Sequence, residues 1–330
     1  MKLLLTVYSA FSRSVCRIKR RLYKSGVLRA ERAPLTVLSV GNLALGGSEK
    51  TPLALELLDF LREIGRKPAL IARGYKSAWE RSGGVLSDGR TIAGTWREAG
   101  DEPFLAALRC PGAGVYIGKN RAASCRRAHD AGFDVAVLDD GFQHLRLRRD
   151  LDIVLHDPAA RAPLRESSAA LAAADIVLMK KTPGGRTLRT GRAEVFPYGV
   201  REQGLAPLEG GPVRPLSSLQ GHRIFAFCGI ARPARFFSLL EEYGVPPASR
   251  AAFPDHFAYP DRSLAGLASA ARSADCGILL TTEKDAVKIR GRRNELSGLD
   301  VLVLRIGLDL PGAFYEAVRA VAGRSHGGYS

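Results

Sequence analysis

The chain has 330 residues, 46% hydrophobic and 25% charged, which excludes a disordered polypeptide and leaves room for two α/β domains or one large one. Its 49 lysines and arginines against 33 acids give a formal charge of +16, a balance that calls for an anionic partner: nucleic acid, an acidic membrane or a phosphorylated substrate. The five cysteines, Cys16, Cys110, Cys125, Cys228 and Cys276, include no CxxC pair. Neither a zinc site nor a disulfide framework is indicated, and reduced thiols in a cytosolic compartment are the simplest expectation.

Residues 1–32 stand apart. Leu4, Val7, Phe11, Val15, Ile18 and Leu22 recur at helical spacing and make one apolar stripe. Around them lie Lys2, Arg13, Arg17, Lys19, Arg20, Arg21, Lys24, Arg29 and Arg32, against the single acid Glu31. Such a basic amphipathic helix can lie in the headgroup layer of an acidic membrane, or it can pack as an ordinary surface helix. The apolar run is too short for a secretory signal and no small-residue cleavage site follows. No stretch offers the roughly 20 apolar residues of a spanning helix.

From residue 33 onward strand and helix signals alternate. Leu35–Val40 reads as a buried parallel strand, and Thr51 to about Ile64 as a helix carrying Leu53, Leu57, Phe60, Leu61 and Ile64 on one face. Ala69–Ala72 and Val115–Ile117 are strand candidates, Arg121–Ala131 a helix, and Val135–Leu138, Asp152–Leu155 and Asp175–Met179 further strands. Residues 183–218, rich in Gly, Pro, Thr and Arg, are expected to be a linker. A second unit over 219–330 would hold strands Ile224–Cys228, Ile278–Thr281 and Val301–Leu304 with helices Pro233–Tyr243 and Pro311–Ala322. The alternation predicts doubly wound parallel sheets, with a nucleotide-binding domain over 33–182 and a smaller α/β domain after the linker.

The sharpest chemical signal is the run from Gly41 to Pro52, placed after a strand and opening a helix, where a phosphate-binding loop belongs. Glycines let backbone N–H groups turn toward phosphate oxygens, Lys50 supplies a point charge at the β- and γ-phosphates, and Thr51 offers a hydroxyl to Mg²⁺. The candidate ATP-binding residues are Ala44, Leu45, Gly46, Gly47, Ser48, Glu49, Lys50 and Thr51. Ala44 and Glu49 occupy the two glycine positions of GxxxxGK[ST]. Glu49 would set a carboxylate beside bound phosphate unless it faces solvent. The strand Val135–Leu138 ends in Asp139 and Asp140, the form of a strand presenting carboxylates to Mg²⁺.

Taken in order, Gly41–Pro52, Ile71–Tyr75, Gly100–Pro103, the DDGFQH run Asp139–His144, Pro163–Glu166, Gly229-Ile230, Pro254–His256 and the TTEKDAVK run Thr281–Lys288 resemble the motifs of the tetraacyldisaccharide 4′-kinase family over nearly the whole chain. The resemblance implies a P-loop domain paired with a second α/β domain. It implies transfer of the γ-phosphate of ATP, with Mg²⁺, to the 4′-hydroxyl of a tetraacylated glucosamine disaccharide 1-phosphate. It also implies a monotopic enzyme on the cytoplasmic face of the inner membrane. No nucleic-acid partner is expected, because the densest basic cluster lies on the amphipathic N-terminal helix and no RNA or DNA motif appears. Carried over residue by residue, Lys50 would bind phosphates, Thr51, Asp139 and Asp140 would serve the metal, Asp101 would be the general base on the sugar hydroxyl, and His256 would orient it. Arg73 is a further candidate contact. Read without the family, Asp101 could be a loop acid or N-cap, and His144 and His256 structural histidines. The family pattern has glycine at Glu49, so a nucleotide-binding protein without kinase activity is the alternative function, and the charge leaves a nucleic-acid-binding ATPase as a third.

Overall fold

The computed structural model describes residues 14–44, 49–159, 164–181, 190–292 and 294–324. Leu4, Val7 and Phe11 of the N-terminal stripe, and Leu45, Gly46, Gly47 and Ser48 of the glycine-rich run, lie outside the described residues. The chain forms two units. One takes the chain up to Gly199 and again from Leu308; the other is Val200–Gly307.

The first unit opens with helix α1 over 14–24. There follow β1 (Thr36–Asn42), α2 (Lys50–Glu63), β2 (Pro68–Ala72), α3 (Trp79–Ser82), β3 (Gly84–Asp88), α4 (Trp96–Ala99), α5 (Asp101–Arg109), β4 (Gly114–Ile117), α6 (Arg121–Asp130), β5 (Val135–Leu138), β6 (Leu151–His156) and β7 (Ile176–Lys180). Strand β8 (Glu194–Pro207) then carries the chain out of the unit. The strand order is β8-β7-β6-β1-β5-β2-β4-β3, parallel except for the antiparallel edge pair β3–β4. All seven residues of β1 are buried, as the near-continuous apolar run of a central parallel strand demands. From β1 the chain crosses to β2 on one side, and β6 later pairs on the other. Ligands of doubly wound sheets bind outside the carboxyl ends of strands at such a reversal. Here those ends deliver Asn42, Arg73, Asp139 and Lys180.

One face of this sheet packs Leu35, Val37, Ala69, Ile71, Ala136 and Leu138 against Ala122, Cys125 and Ala128 of α6. Helix α2 buries Leu53, Leu57, Leu58 and Leu61, the face expected from its spacing.

The second unit contains β9 (Ile224–Cys228), α7 (Pro233–Glu242), β10 (Ser249–Ala252), α8 (Asp261–Ser273), β11 (Ile278–Thr282), α9 (Glu283–Ile289) and most of β12 (Asp300–Asp309), in the order β10-β9-β11-β12-β8. Alternation along β9 makes its two faces. Ile224, Ala226 and Cys228 meet Phe236, Phe237 and Leu240 of α7, whereas Phe225 and Phe227 meet Leu264, Leu267 and Ala271 of α8. With helices on both faces the unit is doubly wound, as expected.

Two expectations about organisation need correction. The expected linker 183–218 contains β8, whose residues Glu194–Tyr198 pair with Ile176–Lys180. Pro197, Gly199 and Pro207 gave that stretch the composition of a loop, yet ladder bonds to β7 hold Glu194–Tyr198 extended. The final helix, α10 (Gly312–Ala322), belongs to the first unit and not to the second. Phe314 and Tyr315 pack there on Phe196 and Phe60.

Candidate active site

The ends of β1 and β5 interlock. Gly41 leaves space for the chain after β5: a Cβ added there would stand 2.4 Å from the Phe142 Cβ. The Gly141 N–H donates to the Val40 carbonyl at 2.9 Å, and Gln143 Nε2 donates to the Asn42 carbonyl at 2.9 Å. Asp140 takes a left-handed backbone, φ 52°, to make the crossing. The DDGFQH run is thus the piece that seats an acidic corner against the strand feeding α2. Lys50, the first residue of α2, donates to Asn42 Oδ1 at 3.3 Å and lies 3.1 Å from Asp140 Oδ1. Thr51 follows it, half-buried.

The two aspartates differ in environment. Arg165 Nη1 donates to Asp140 Oδ2 at 2.6 Å. Burial pushes the Asp140 carboxyl up, but the Lys50 and Arg165 cations outweigh it and hold it well below the usual carboxylate range. Asp139 goes the other way: burial and the neighbouring Glu102 charge raise it, Asp140 adds to this, and Lys50 and Arg121 oppose it. Its Oδ1 is buried with no hydrogen-bond partner among the described residues. A buried carboxylate oxygen left open is costly and invites a cation. Magnesium ordinarily uses one or two carboxylates and completes its shell with phosphate and water oxygens. Asp139, Asp140 and the Thr51 hydroxyl fit that ion, although no three His, Cys, Asp or Glu side chains cluster into a cage among the described residues.

Glu49 does not face solvent. Its side chain is 10% exposed, and Lys180 Nζ donates to Oε1 at 3.0 Å. The Tyr198 hydroxyl approaches Oε2 at 3.4 Å. Glu49 caps α2 with φ 54° and ψ 22°, a left-handed conformation that glycine adopts without strain.

Asp101 is buried and begins helix α5 rather than lying in a loop; its Oδ1 accepts the Glu102 N–H at 3.0 Å. Gly100, at φ 101°, lies beside Gly74 just beyond β2, at ordinary contact distance, which sets Asp101 at the same carboxyl edge of the sheet as Asp139. Arg73 is tied to Glu80 at 2.7 Å. His256 belongs to the second unit, half-exposed, with Nε2 3.5 Å from Lys284 Nζ and 3.7 Å from Asp255 Oδ2. The TTEKDAVK run explains that position through two opposed faces of α9. Lys284 reaches Asp255 at 3.2 Å, while Asp285, wholly buried, accepts from the Gly229 N–H at 2.9 Å, the Thr282 hydroxyl at 2.7 Å and Lys288 at 3.3 Å.

Sequence reasoning did not single out Asn42, Arg121, Arg165 or Lys180. Arg165 lies within the Pro163–Glu166 motif. Arg121 is buried after β4, donating to the Gly118 carbonyl at 3.0 Å, and its place at a strand's carboxyl edge was the available signal. Lys180 carried none, since its partner is 131 positions away.

A family model described as Tetraacyldisaccharide-1-P 4'-kinase matches residues 1–322. The tetraacyldisaccharide 4'-kinase of Pelobacter propionicus is 34% identical over 96% of this chain and 91% of its own. That of Geobacter metallireducens is 36% identical over 96% and 97%. Among solved structures, LpxK from Aquifex aeolicus in complex with ATP aligns with a TM-score of 0.78 at 26% identity, covering 96% of this chain and 98% of its own. The likeness embraces both units and every element that carries the site, and on it the chain belongs to the tetraacyldisaccharide 4′-kinase family.

Proposed function

We infer that this protein transfers the γ-phosphate of ATP to the 4′-hydroxyl of a tetraacyldisaccharide 1-phosphate, a lipid A precursor, at the cytoplasmic face of a bacterial inner membrane. The carrying observation is Lys50 at the start of α2, held by Asn42 and Asp140 beside an Asp139 oxygen without a partner. It supports a P-loop-like site in which Lys50 meets the β- and γ-phosphates and the N-terminal amides of α2 face the anion. Mg²⁺ at Asp139, Asp140 and Thr51 would screen the charge that develops on the phosphates. Asp101 accepts the proton of the sugar hydroxyl as its oxygen bonds to the γ-phosphorus. The bond from that phosphorus to the β,γ-bridging oxygen breaks, and ADP leaves with the electron pair. The family resemblance assigns His256, which lies beside Lys284 and Asp255 in its own unit, to orienting the base. The alternative of an inactive nucleotide binder leaned on Glu49, whose charge Lys180 already neutralises.

Membrane seating accounts for the basic charge better than nucleic acid does. On α1, Val15 and Ile18 are exposed at 45% and 58%, whereas Arg20 turns inward to a two-point pair with Glu166 at 2.6 and 3.0 Å. An ordinary surface helix does the reverse, and apolar outward side chains among lysines and arginines suit an anionic headgroup layer. No helix among the described residues is long and apolar enough to cross a membrane.

The test is an assay with Mg-ATP and tetraacyldisaccharide 1-phosphate in detergent, following phosphorylated lipid. Native protein is expected to turn over, and Asp101→Ala to lose about 10²–10⁴-fold in kcat with little change in ATP affinity, the span of a removed general base. Lipid left unphosphorylated by folded native protein overturns the reading.

A further inference from the structure

Glu49 raises a physical question that the kinase reading leaves open. An acid in a phosphate-binding turn repels the triphosphate, and an L-residue at φ 54° carries backbone strain. Both penalties fall on the residue just before Lys50. The surroundings answer both. Lys180 ends β7 and Tyr198 lies opposite it on β8 as its register partner. Paired strands therefore present an ammonium and a phenol side by side, and both reach the same carboxylate, at 3.0 and 3.4 Å. Tyr198 is 1% exposed and Lys180 is half-buried, so the two are built into the sheet edge and are not loose surface groups.

We propose that Lys180, seconded by Tyr198, is a positioning residue for nucleotide binding. It neutralises Glu49, draws its carboxylate toward β7 and β8, and pins the left-handed turn from which α2 and Lys50 start. The ion pair does for this chain what the family's glycine does by lacking a side chain: it keeps negative charge off the phosphates and stabilises positive φ. The inference deepens the ATP-site reading given above and depends on it. Without Lys180, a carboxylate with little solvent access loses its ammonium partner and competes with the nucleotide for the Lys50 cation.

The experiment measures the Kd of Mg-ATP by titration calorimetry on the full chain in detergent, without lipid, for native protein, Lys180→Met, Lys180→Arg, Glu49→Gly and the Glu49→Gly/Lys180→Met double variant. Lys180→Met is expected to weaken binding at least tenfold, and Lys180→Arg to stay within about threefold of native because it keeps the charge. In the Glu49→Gly background, Lys180→Met should change Kd less than twofold. Glu49→Gly alone should bring no gain above about threefold. A full loss that persists in the Glu49→Gly background overturns the proposal, because Lys180 would then act on the nucleotide itself. So does a Lys180→Met protein that binds as tightly as native, or a large gain from Glu49→Gly alone. If Lys180→Met does not fold, recovery of folded protein in the double variant supports the proposal, and a double variant that also fails to fold overturns it. Native protein that binds no Mg-ATP refutes the nucleotide reading itself, an outcome separate from any difference among variants.

Discussion

Gly41 shows how one missing side chain organises the acidic corner. Its absent Cβ makes room for the Phe142 backbone, whose N atom would lie 3.1 Å from any methyl placed there. Gly41→Ala is expected to cost about 1–3 kcal/mol, the usual penalty for an overpacked site, read by urea denaturation, with ATP binding weakened in parallel. His144, three residues past Gly141, has its imidazole pushed down to about 4 by burial and by the nearby cations Arg121, Lys19, Arg149 and Arg146. The unfolded chain therefore binds a proton near pH 6.5 that the folded protein refuses until about pH 4. Stability from this group is complete above pH 6.5 and falls as pH drops toward 4. A His144→Gln variant should accordingly lose less stability than native protein between pH 7 and pH 5 in thermal melts; equal losses would show that His144 does not drive acid sensitivity. At this scale Lys50, Thr51 and the aspartate pair were legible because local spacing declares them. The Glu49–Lys180 pair was not, because nothing in a neighbourhood of ten residues announces a contact made across strand pairing.

At the scale of elements, α9 separates two kinds of charge that look alike in sequence. Asp285 and Lys288 are buried against each other, with side chains 0% and 1% exposed, whereas Lys284 reaches outward to Asp255. Removing one partner of a buried pair leaves the other charged and poorly solvated, so Asp285→Ala should destabilise by about 3–5 kcal/mol. Lys284→Ala should cost under about 1 kcal/mol and, on the orienting role proposed for His256, lower turnover instead. Denaturation curves and kcat for the two variants check the contrast, and equal destabilisation would contradict it. Helix α1 yields a second expectation. Deleting residues up to Arg32 should reduce flotation with anionic liposomes, and added salt should weaken binding of the native chain, since the attraction of surface charges is screened over about 8–10 Å. Binding that is indifferent to salt and to the deletion would remove α1 from the membrane contact. The long apolar strands and amphipathic helices were readable from their periods of 2 and 3.6. Strand β8 was hidden by Pro197, Gly199 and Pro207, because the pairing with β7 that overrides their loop preference is a tertiary fact. Helix α8 has Leu264, Leu267, Ala268 and Ala271 buried at helical spacing, but alanine-rich faces signal weakly against a background of charge.

For the molecule as a whole, the order of segments along the chain differs from their order in space. The domain boundary expected after residue 182 lies instead at Gly199, and the first unit takes up the chain again at Leu308. A contiguous reading could not have found this, since α10 carries the amphipathic pattern that any final helix would. Its Phe314 is fully buried and stacks edge-on with Phe196 at 6.1 Å, while Tyr315 sits 4.9 Å from Phe60 of α2. Phe314→Ala should therefore cost about 3–5 kcal/mol and make the helix bearing Lys50 exchange its amide hydrogens faster, although the substitution is 264 positions away in sequence. Unchanged exchange in α2 would show that the C-terminal helix is dispensable to it. Because residues 308–324 belong with the first unit, a growing polypeptide that has already emerged with all its sequence motifs still lacks one wall of that unit. That unit closes only when α10 has left the ribosome, after the inserted second unit has had time to fold. A stop codon between the TTEKDAVK run and α10 would thus spare every motif and still release a product with the flank of α2 uncovered, a substrate for chaperones and proteases.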